Sequence, residues 1–381
     1  MTDPLLEKVR TRLVASGEMP SHAAVARAVR DSGAVLGPDS LLSLAGRLHD
    51  DLVGTGPLAA LLADPLVSDV VVNGPQHVFV DRGSGLEPAP VQFVDADEVR
   101  RLAVRLANAA GRRLDDAVAW VDAALPDGTR LHAVLPPIAP DGPLLSLRVL
   151  GRRTPTLDEL IESGTIPGEL LATLRSIVDC RLSFLVTGGT GAGKTTVLSA
   201  LLSMVAPRER LVMVEDTPEL QPRHPHAVRL LARPANVEGM GSVSLDDLVR
   251  QAIRMRPDRV VVGEVRGPEA VDMLAALNTG HEGGCATAHA NAARDVPARV
   301  EALALAAGLN QAAVRSQLAA GLDLVLHVAR HRGRRRLVEI AVVTASDTHV
   351  HVEPAVVVGP DGRVSRSSGA GLLERWLELG A

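Results

Sequence analysis

The stretch GGTGAGKTT, residues 188–196, contains residue types that bind a polyphosphate, at the spacing that this chemistry needs. It fits the pattern G-x-x-x-x-G-K-[ST], in which Lys194 is expected to reach the β- and γ-phosphates of ATP and Thr195 to ligate Mg²⁺. Glycines let backbone N–H groups turn toward phosphate oxygens, and the helix N-terminus that follows adds partial positive charge. The predicted nucleotide-binding residues are Gly188, Gly189, Thr190, Gly191, Ala192, Gly193, Lys194, Thr195 and Thr196.

Hydrolysis of a nucleotide also needs carboxylates, and two acidic stretches provide them. Glu264 ends the apolar run of RVVVGEVRG, where an acid that holds Mg²⁺ is expected; a charged strand end is the alternative. Glu215, Asp216 and Glu219 follow the apolar run of LVMVEDTPEL. These carboxylates cannot all be buried without a cation or partners. We expect them to face the γ-phosphate at the carboxyl edge of a sheet, and an exposed acidic turn is the alternative.

The stretch TGHEGGCATAHAN contains two histidines, His281 and His289. A metal pair is one interpretation, but the spacing differs from H-E-x-x-H and the sequence offers no evident third ligand. A sensor of the γ-phosphate beside the nucleotide fits the neighbouring motifs better. Polar residues at strand and loop ends are the plainer alternative.

Positive charge for the transition state is predicted to come from Arg130 in DGTRLHAVLPP and Arg148 in LLSLRVL. Both arginines lie outside the nucleotide-binding part of the sequence. They would therefore act as fingers that reach over a shared site when the first domain closes on the second. Surface arginines on two strands are the alternative.

The periodicity of apolar residues divides the 381-residue chain into a leader and two domains. Short helical patterns predict a helical leader over 1–47, and strands around one helix predict a compact α/β domain over 48–150. Proline and glycine interrupt the periodicity over 151–167, as in a linker. Strands and helices alternate over 168–381, which predicts a mostly parallel sheet with helices on both faces.

Composition limits the partners that the chain is expected to bind. The net charge is −5, and the chain has three phenylalanines, two tryptophans and no tyrosine, so it lacks the basic surface and the stacking aromatics typical of nucleic-acid binding. One basic run, RHRGRRR at 330–336, lies between two apolar strands. A solvated hairpin turn is favoured for it over a contact with acidic lipid or an acidic partner.

Three further features bear on the compartment. The start MTDPLLEKVR is unlike a signal peptide, and no run of about 18 apolar residues is present. Cys180 and Cys285 are too few for a tetracysteine zinc site. We therefore expect a cytoplasmic protein with reduced thiols and no direct nucleic-acid partner, peripheral to the inner face of the cell membrane through its partners.

Taken in order, GGTGAGKTT, VEDTPEL, VVVGEVRGPEA and TGHEGGCATAHAN resemble the Walker A, Asp box, Walker B and His box motifs of the secretion-traffic ATPases. These ATPases power type II and type IV secretion and type IV pili. SDVVVNGP and LPDGTRLHAVLPP resemble the branch that serves tight-adherence (Flp-type) pili and conjugation-like secretion. The resemblance covers residues 48–345, and the tetracysteine domain common in the type II enzymes is missing.

The resemblance implies an N-terminal sensing domain joined to a RecA-like P-loop ATPase domain, with ATP and Mg²⁺ between them. It also implies a homo-hexameric ring that works on an inner-membrane platform protein. Glu219 matches the proposed general base, Glu264 the Walker B acid and Lys194 the phosphate residue. The remaining matches are the Mg²⁺ ligand, the His-box pair and the two arginines of the first domain: Thr195, His281, His289, Arg130 and Arg148.

Two other classes of function stay open at the level of sequence. A DNA-directed motor, such as a helicase or a conjugation ATPase, could use the same engine, but the acidic balance and the scarcity of aromatics count against it. A ring scaffold that only binds nucleotide would be expected to lose Lys194, Glu219 or Glu264, and all three are present.

Overall fold

The structure is a computed structural model, and it describes residues 12, 22–31, 54–83, 85–149, 154–233, 235, 240–331, 333–346 and 349–379. The chain forms two compact units, Met1–Gly151 and Arg152–Ala381. Most of the predicted leader over 1–47 lies outside the described residues. Within it, helix α1 (His22–Asp31) buries Ala28 and Val29.

Among the described residues of the first unit, six strands form an antiparallel sheet in the order β3-β2-β1-β6-β5-β4. Buried side chains alternate with more accessible ones along most of these strands, which is the period of a sheet covered on one face. The strands are β1 (Asp69–Asn73), β2 (Val78–Asp81), β3 (Leu86–Pro88), β4 (Trp120–Ala124), β5 (Arg130–Val134) and β6 (Leu144–Arg148).

The described part of the first unit also contains a short 3-10 helix (Gly56–Leu58) and two further α-helices, α2 (Ala59–Ala63) and α3 (Ala96–Ala109). The side chain of Asp95 caps α3, because its Oδ1 accepts a hydrogen bond from the backbone N–H of Glu98 at 2.8 Å. The apolar face of α3 is buried in one core with the inward-facing residues of the sheet. The opposite face of the sheet leaves Trp120 exposed.

The second unit alternates strands and helices along its described residues. Its strands are β7 (Phe184–Thr187), β8 (Leu211–Glu215), β9 (Ala227–Leu231), β10 (Arg259–Val265), β11 (Cys285–Ala288), β12 (Leu324–His331), β13 (Arg334–Ala345), β14 (Val350–Val358) and β15 (Val364–Arg366). Its helices are α4 (Leu157–Glu162), α5 (Leu171–Asp179), α6 (Lys194–Leu202), α7 (Leu245–Ile253), α8 (Glu269–Leu277), α9 (Val296–Ala306), α10 (Gln311–Gly321) and α11 (Ala370–Leu379).

Among the described residues, these strands form one sheet in the order β15-β14-β13-β12-β7-β11-β10-β8-β9. The pairs from β12 to β9 are parallel, and β13, β14 and β15 extend the sheet with antiparallel pairs. Phe184 and Val186 of β7 belong to one apolar core and Leu185 to another, so helices cover both faces. The prediction of an α/β domain with a mostly parallel sheet is confirmed.

Residues 154–167, predicted as part of a linker, pack as part of the second unit. Helix α4 lies here and begins with a capping box: Thr156 Oγ1 accepts from Glu159 N at 3.2 Å, and Glu159 Oε2 accepts from Thr156 N at 2.8 Å. The segment also contributes three side chains to the core that contains β7, namely Leu157, Leu160 and Ile166. The prolines that break the sequence pattern flank a short packed helix.

Candidate functional site

The glycine loop over 188–193 connects the end of β7 to the start of α6. Gly188 has φ +152°, and a Cβ atom there would overlap the carbonyl oxygen of Val328. A side chain at this position is excluded by backbone, which cannot move aside as a flexible side chain would. The strand, the glycine loop and the helix therefore have the local structure that the sequence motif requires.

Lys194 is the first residue of α6, directly after the loop, and it is 8% exposed. Its Nζ donates to the carbonyl oxygens of Gly188 at 3.2 Å and Gly189 at 3.1 Å, and it lies 3.3 Å from Nδ1 of His289. The other ring nitrogen of His289, Nε2, lies 2.7 Å from Glu264 Oε1. These partners assign a neutral ring that accepts at Nδ1 and donates from Nε2.

The pKa of His289 agrees with that assignment. Burial is the largest cause that lowers it below its usual value, and the charge of Lys194 lowers it further, whereas Glu264 raises it. The net direction is downward, so the imidazole stays neutral near pH 7. A neutral ring can accept a hydrogen bond from an ammonium group, which an imidazolium cannot do.

Glu264 is placed by an irregularity in its strand. The pairing of β10 with β11 shifts register between Val262 and Val265, so Glu264 lies in a bulge. Thr287 Oγ1 of β11 donates to the carbonyl oxygen of Gly263 in this bulge at 2.6 Å. The bulge therefore directs Glu264 out of the regular alternation and toward His289.

Arg266 joins the acids at the ends of two strands. Its Nη2 lies 2.6 Å from Glu264 Oε2 and 3.0 Å from Asp216 Oδ2. Asp216 follows β8, and Glu264 belongs to β10, which is the parallel neighbour of β8. The guanidinium thus offsets the repulsion of two carboxylates that face the same edge of the sheet.

Glu219 lies in the loop after β8, and its Oε2 accepts a hydrogen bond from Thr195 Oγ1 at 3.2 Å. Glu215 fixes this loop from beneath: its Oε1 accepts from the backbone N–H of Leu220 at 2.7 Å. Arg229 on β9 pairs with Glu215 Oε2 at 2.8 Å and donates to the carbonyl oxygen of Leu220. The backbone N–H and carbonyl groups of Leu220, the residue after Glu219, are therefore both hydrogen-bonded.

Parallel pairing brings most of the predicted residues to one edge of the sheet. β7, β11, β10 and β8 are consecutive parallel neighbours, so the loops after their carboxyl ends lie side by side. The structure thereby collects the glycine loop with five predicted side chains: Lys194, Thr195, Glu219, Glu264 and His289.

The structure separates the two histidines that the sequence analysis paired. His281 precedes β11, whereas His289 follows it, so the strand places them at opposite edges of the sheet. Nδ1 of His281 contacts the carbonyl oxygen of Ala276, at the end of α8, at 3.2 Å. A spacing of eight positions cannot bring two residues together when an extended strand lies between them. Of the two histidines, His289 is the one that contacts Lys194 and Glu264.

Arg130 and Arg148 lie in the first unit, opposite each other on the antiparallel strands β5 and β6. Each has an acidic partner in the same unit: Asp122 Oδ2 lies 3.4 Å from Arg130 Nη2, and Asp69 Oδ1 lies 3.1 Å from Arg148 Nε. These pairs relieve the repulsion between two like charges on neighbouring strands. The role of the two arginines at the nucleotide stays a prediction.

The oxygen ligands at the loop fit Mg²⁺. The hydroxyl of Thr195 and the carboxylate of Glu219 are within hydrogen-bond distance, and Glu264 supplies a further carboxylate at the same edge of the sheet. Among the described residues, no group of three or more His, Cys, Asp or Glu side chains could enclose a metal. Mg²⁺ suits such a site because it keeps waters and takes substrate phosphates as ligands beside one or two protein groups.

Sequence reasoning missed several residues that shape this edge. Arg266 follows Glu264 within the quoted stretch VVVGEVRG, and an arginine two positions from a strand-end acid is a signal that could have found it. Arg229 and Thr287 gave no such signal, because their partners are distant in sequence and meet them only through strand pairing. Arg335, from the basic run, donates to the glycine loop at Gly191 O.

The glycine loop between β7 and α6, set in a parallel sheet with acids at neighbouring strand ends, defines a RecA-like P-loop domain. The solved structure of the ATPase DotB from Legionella pneumophila has this fold in common with the chain. The TM-score is 0.51 at 17% sequence identity, and 85% of each chain is covered. The sequence pattern of the family “Type II/IV secretion system protein” matches residues 51–339. The chain belongs to that family.

Proteins with higher sequence identity to this chain support the same family assignment. A protein of Mycobacterium tuberculosis named “Putative conjugal transfer protein” is 55% identical over 323 residues, which cover 83% of this chain and 92% of the relative. Conjugal transfer protein TrbB of Rhizobium radiobacter is 31% identical, with 84% of this chain and 97% of the relative covered. Protein VirB11 of Agrobacterium fabrum is 32% identical, with 72% and 88% covered.

Proposed function

We propose that this protein is an ATPase that converts ATP hydrolysis into mechanical work for a secretion or pilus system. One observation carries the proposal. Lys194, His289 and Glu264 form a continuous chain of contacts, and Thr195 contacts Glu219 at the same edge of the sheet. ATP hydrolysis requires a loop that binds phosphates and acids beside it. Here one acid contacts the hydroxyl of Thr195, the proposed Mg²⁺ ligand, and the second accepts a hydrogen bond from a neutral histidine.

Each of these side chains has one role in the proposal. Lys194 and the backbone N–H groups of the loop bind the phosphates, and Glu219 accepts the proton of the attacking water. His289 responds to the γ-phosphate through its contacts with Lys194 and Glu264. Thr195 and Glu264 would hold Mg²⁺, which when bound would supply positive charge that offsets the charge of the phosphates.

The finer assignment follows the resemblance to ATPases of tight-adherence pili. We propose a homo-hexameric ring in which Arg130 and Arg148 of the sensing domain over 48–150 provide positive charge at the nucleotide. Closure and opening of the two units around the ring would drive an inner-membrane platform protein, which extrudes pilin or secreted substrate. The names of the relatives, which refer to conjugal transfer, support a type IV secretion role of the same kind.

Contact with the membrane is proposed to come through the platform protein. Over the described residues, every helix is too short or too polar to cross a bilayer. The proposed location is the inner face of the cell membrane.

The test is the Mg²⁺-dependent release of phosphate from ATP by the purified full chain, read together with its mass in solution. Lys194→Ala and Glu219→Gln are expected to lower the rate roughly a hundredfold or more, because one removes a phosphate contact and the other the proton acceptor. Glu282→Gln is the matched control, since Glu282 is an exposed acid before β11, at the opposite edge of the sheet.

The outcomes separate three functions. A rate in a hexamer that both variants abolish, that the control keeps and that single-stranded DNA leaves unchanged supports the secretion ATPase. A rate that DNA raises many-fold, with steep dependence on salt, would instead identify a DNA-directed motor. Tight ATP binding with no hydrolysis, alone or with membranes that contain the platform protein, would identify a nucleotide-binding scaffold.

A further inference from the structure

The basic run over 330–336 has a position that its sequence does not predict. Its described residues belong to the hairpin of β12 and β13, in which Arg330 on β12 lies opposite Arg335 on β13. β12 pairs with β7 only over Leu324–His327, so the rest of β12 and the turn extend beyond the end of β7. The glycine loop begins at that end, and the turn therefore lies beside the loop.

Arg335 contacts the loop at two places. Its Nε donates to the carbonyl oxygen of Gly191 at 3.1 Å. Its Cδ lies 3.2 Å from the position that a Cβ atom would take at Gly193, where φ is +96°. The carbonyl oxygen of Val328, earlier on the same hairpin, lies against Gly188. The turn is thus one wall of the phosphate-binding loop.

No acid among the described residues balances the charge of Arg335. Arg335 makes no ion pair with any described residue, and its terminal nitrogens, with four N–H groups, make no hydrogen bond there. Lys194 donates to carbonyl oxygens of the same loop, and the partial positive charge of the N-terminus of α6 adds to its charge. Two cations and a helix N-terminus repel one another unless an anion lies between them.

We infer that Arg335 is a nucleotide-binding residue, which donates its terminal N–H groups to the polyphosphate of a bound nucleoside di- or triphosphate. This inference rests on the proposed ATPase function and adds a contact outside the four sequence motifs. A guanidinium group suits the role because its planar fork can donate two hydrogen bonds to one phosphate. The bond from Nε to Gly191 O fixes the side chain before the phosphates arrive.

The test is equilibrium binding of fluorescent ADP to the full chain, with inorganic pyrophosphate as competitor. Arg335→Gln is expected to weaken both ADP and pyrophosphate about tenfold or more, because a charge-assisted hydrogen bond to phosphate is lost. Arg335→Lys, which keeps the charge without the fork, is expected to lose less. Arg334→Gln is the matched control: it removes the same charge from the same exposed turn, and it should stay within about twofold of wild type.

Each other outcome has a definite meaning. ADP binding that Lys194→Ala abolishes and Arg335→Gln leaves intact overturns the inference and leaves the proposed function standing. Equal losses of ADP affinity in Arg334→Gln and Arg335→Gln overturn the inference too, since the turn would then act only through its total positive charge. A loss for ADP without a loss for pyrophosphate would place the contact on the base or ribose. A wild-type chain that binds no nucleotide would refute the ATPase proposal itself.

Discussion

Burial makes the side chain of Glu215 a weaker acid than an ordinary carboxyl group. Its side chain is 1% exposed, and burial raises its pKa to about 7 against the hydrogen bond from Leu220 and the charge of Arg229. Because the pKa in the folded chain lies above the usual 4.5, the folded state binds this proton more tightly than the unfolded state. The contribution to stability is complete below pH 4.5 and is lost as the pH rises through 7.

Glu215→Gln should remove this part of the pH dependence. An amide can still accept the hydrogen bond from Leu220 N, but it has no proton to lose. We expect the free energy of unfolding of wild type to fall, relative to the variant, between pH 4.5 and 7. Urea unfolding of both proteins across that range measures the difference. Glu378→Gln, on the exposed side of α11, is the control, and a difference that stays constant with pH would refute the assignment.

At the scale of elements, the loop after β8 depends on the edge strand β9. Arg229 of β9 binds both Glu215 and the carbonyl oxygen of Leu220, next to Glu219. Arg229→Ala should release the loop, and we expect kcat to fall roughly tenfold to a hundredfold while nucleotide affinity stays near wild type. Steady-state kinetics and ADP binding, measured together, separate the two effects.

The control for that prediction is a neighbouring arginine. Arg223→Ala removes an exposed side chain that donates to the carbonyl oxygen of Thr154 and makes no bond to Leu220. It should keep kcat within about twofold of wild type. Equal loss in both variants would mean that Arg229 acts through general stability of the fold, and loss of affinity in Arg229→Ala alone would place it in nucleotide binding.

The capping box of α4 gives a prediction about the free energy of unfolding that does not involve catalysis. Thr156→Ala removes the acceptor for Glu159 N and should lower the free energy of unfolding of the second unit by about 1 kcal/mol. Thr156→Ser keeps the hydroxyl and should lie within a few tenths of wild type. Urea unfolding of the three proteins is the measurement. Loss in the serine variant equal to that in the alanine variant would show that the methyl group, not the cap, matters.

Local sequence patterns predicted the strands and helices of the second unit. Strand pairing, which is not local, determined which side chains come into contact. The motif at 188–196 and the apolar runs of β7, β8 and β10 were evident because each is a local signal. The separation of His281 from His289 was not, because it depends on β11 lying between them. Nor did the sequence indicate which of three neighbouring acids is buried, since burial of Glu215 comes from β9 and β10.

At the scale of the whole molecule, the proposed ring gives a test for the two arginines of the first unit. If Arg148 acts at the nucleotide, Arg148→Ala should lower kcat roughly a thousandfold with little change in ADP affinity. Arg101→Ala, an exposed arginine on α3 in the same unit, should leave kcat unchanged.

Phosphate release and ADP binding test the Arg148 prediction, and light scattering measures whether the variant has the same mass in solution as wild type. A normal rate in Arg148→Ala would remove this residue from the proposal. A variant that no longer assembles would assign the residue to assembly instead of charge stabilisation.

The position of β7 in its sheet has a consequence for the timing of synthesis. Its neighbours are β11 and β12, and Thr187 at its end contacts His327, which lies 140 residues later in the chain, at 2.9 Å. At about 5–20 residues per second, a ribosome needs about 7–30 s to supply that partner. The nascent chain must therefore carry this apolar strand without its neighbour β12 for that time, and without β11 for the first part of it. We expect exposure of this strand, more than any weakness of the finished fold, to set the demand for chaperones during expression.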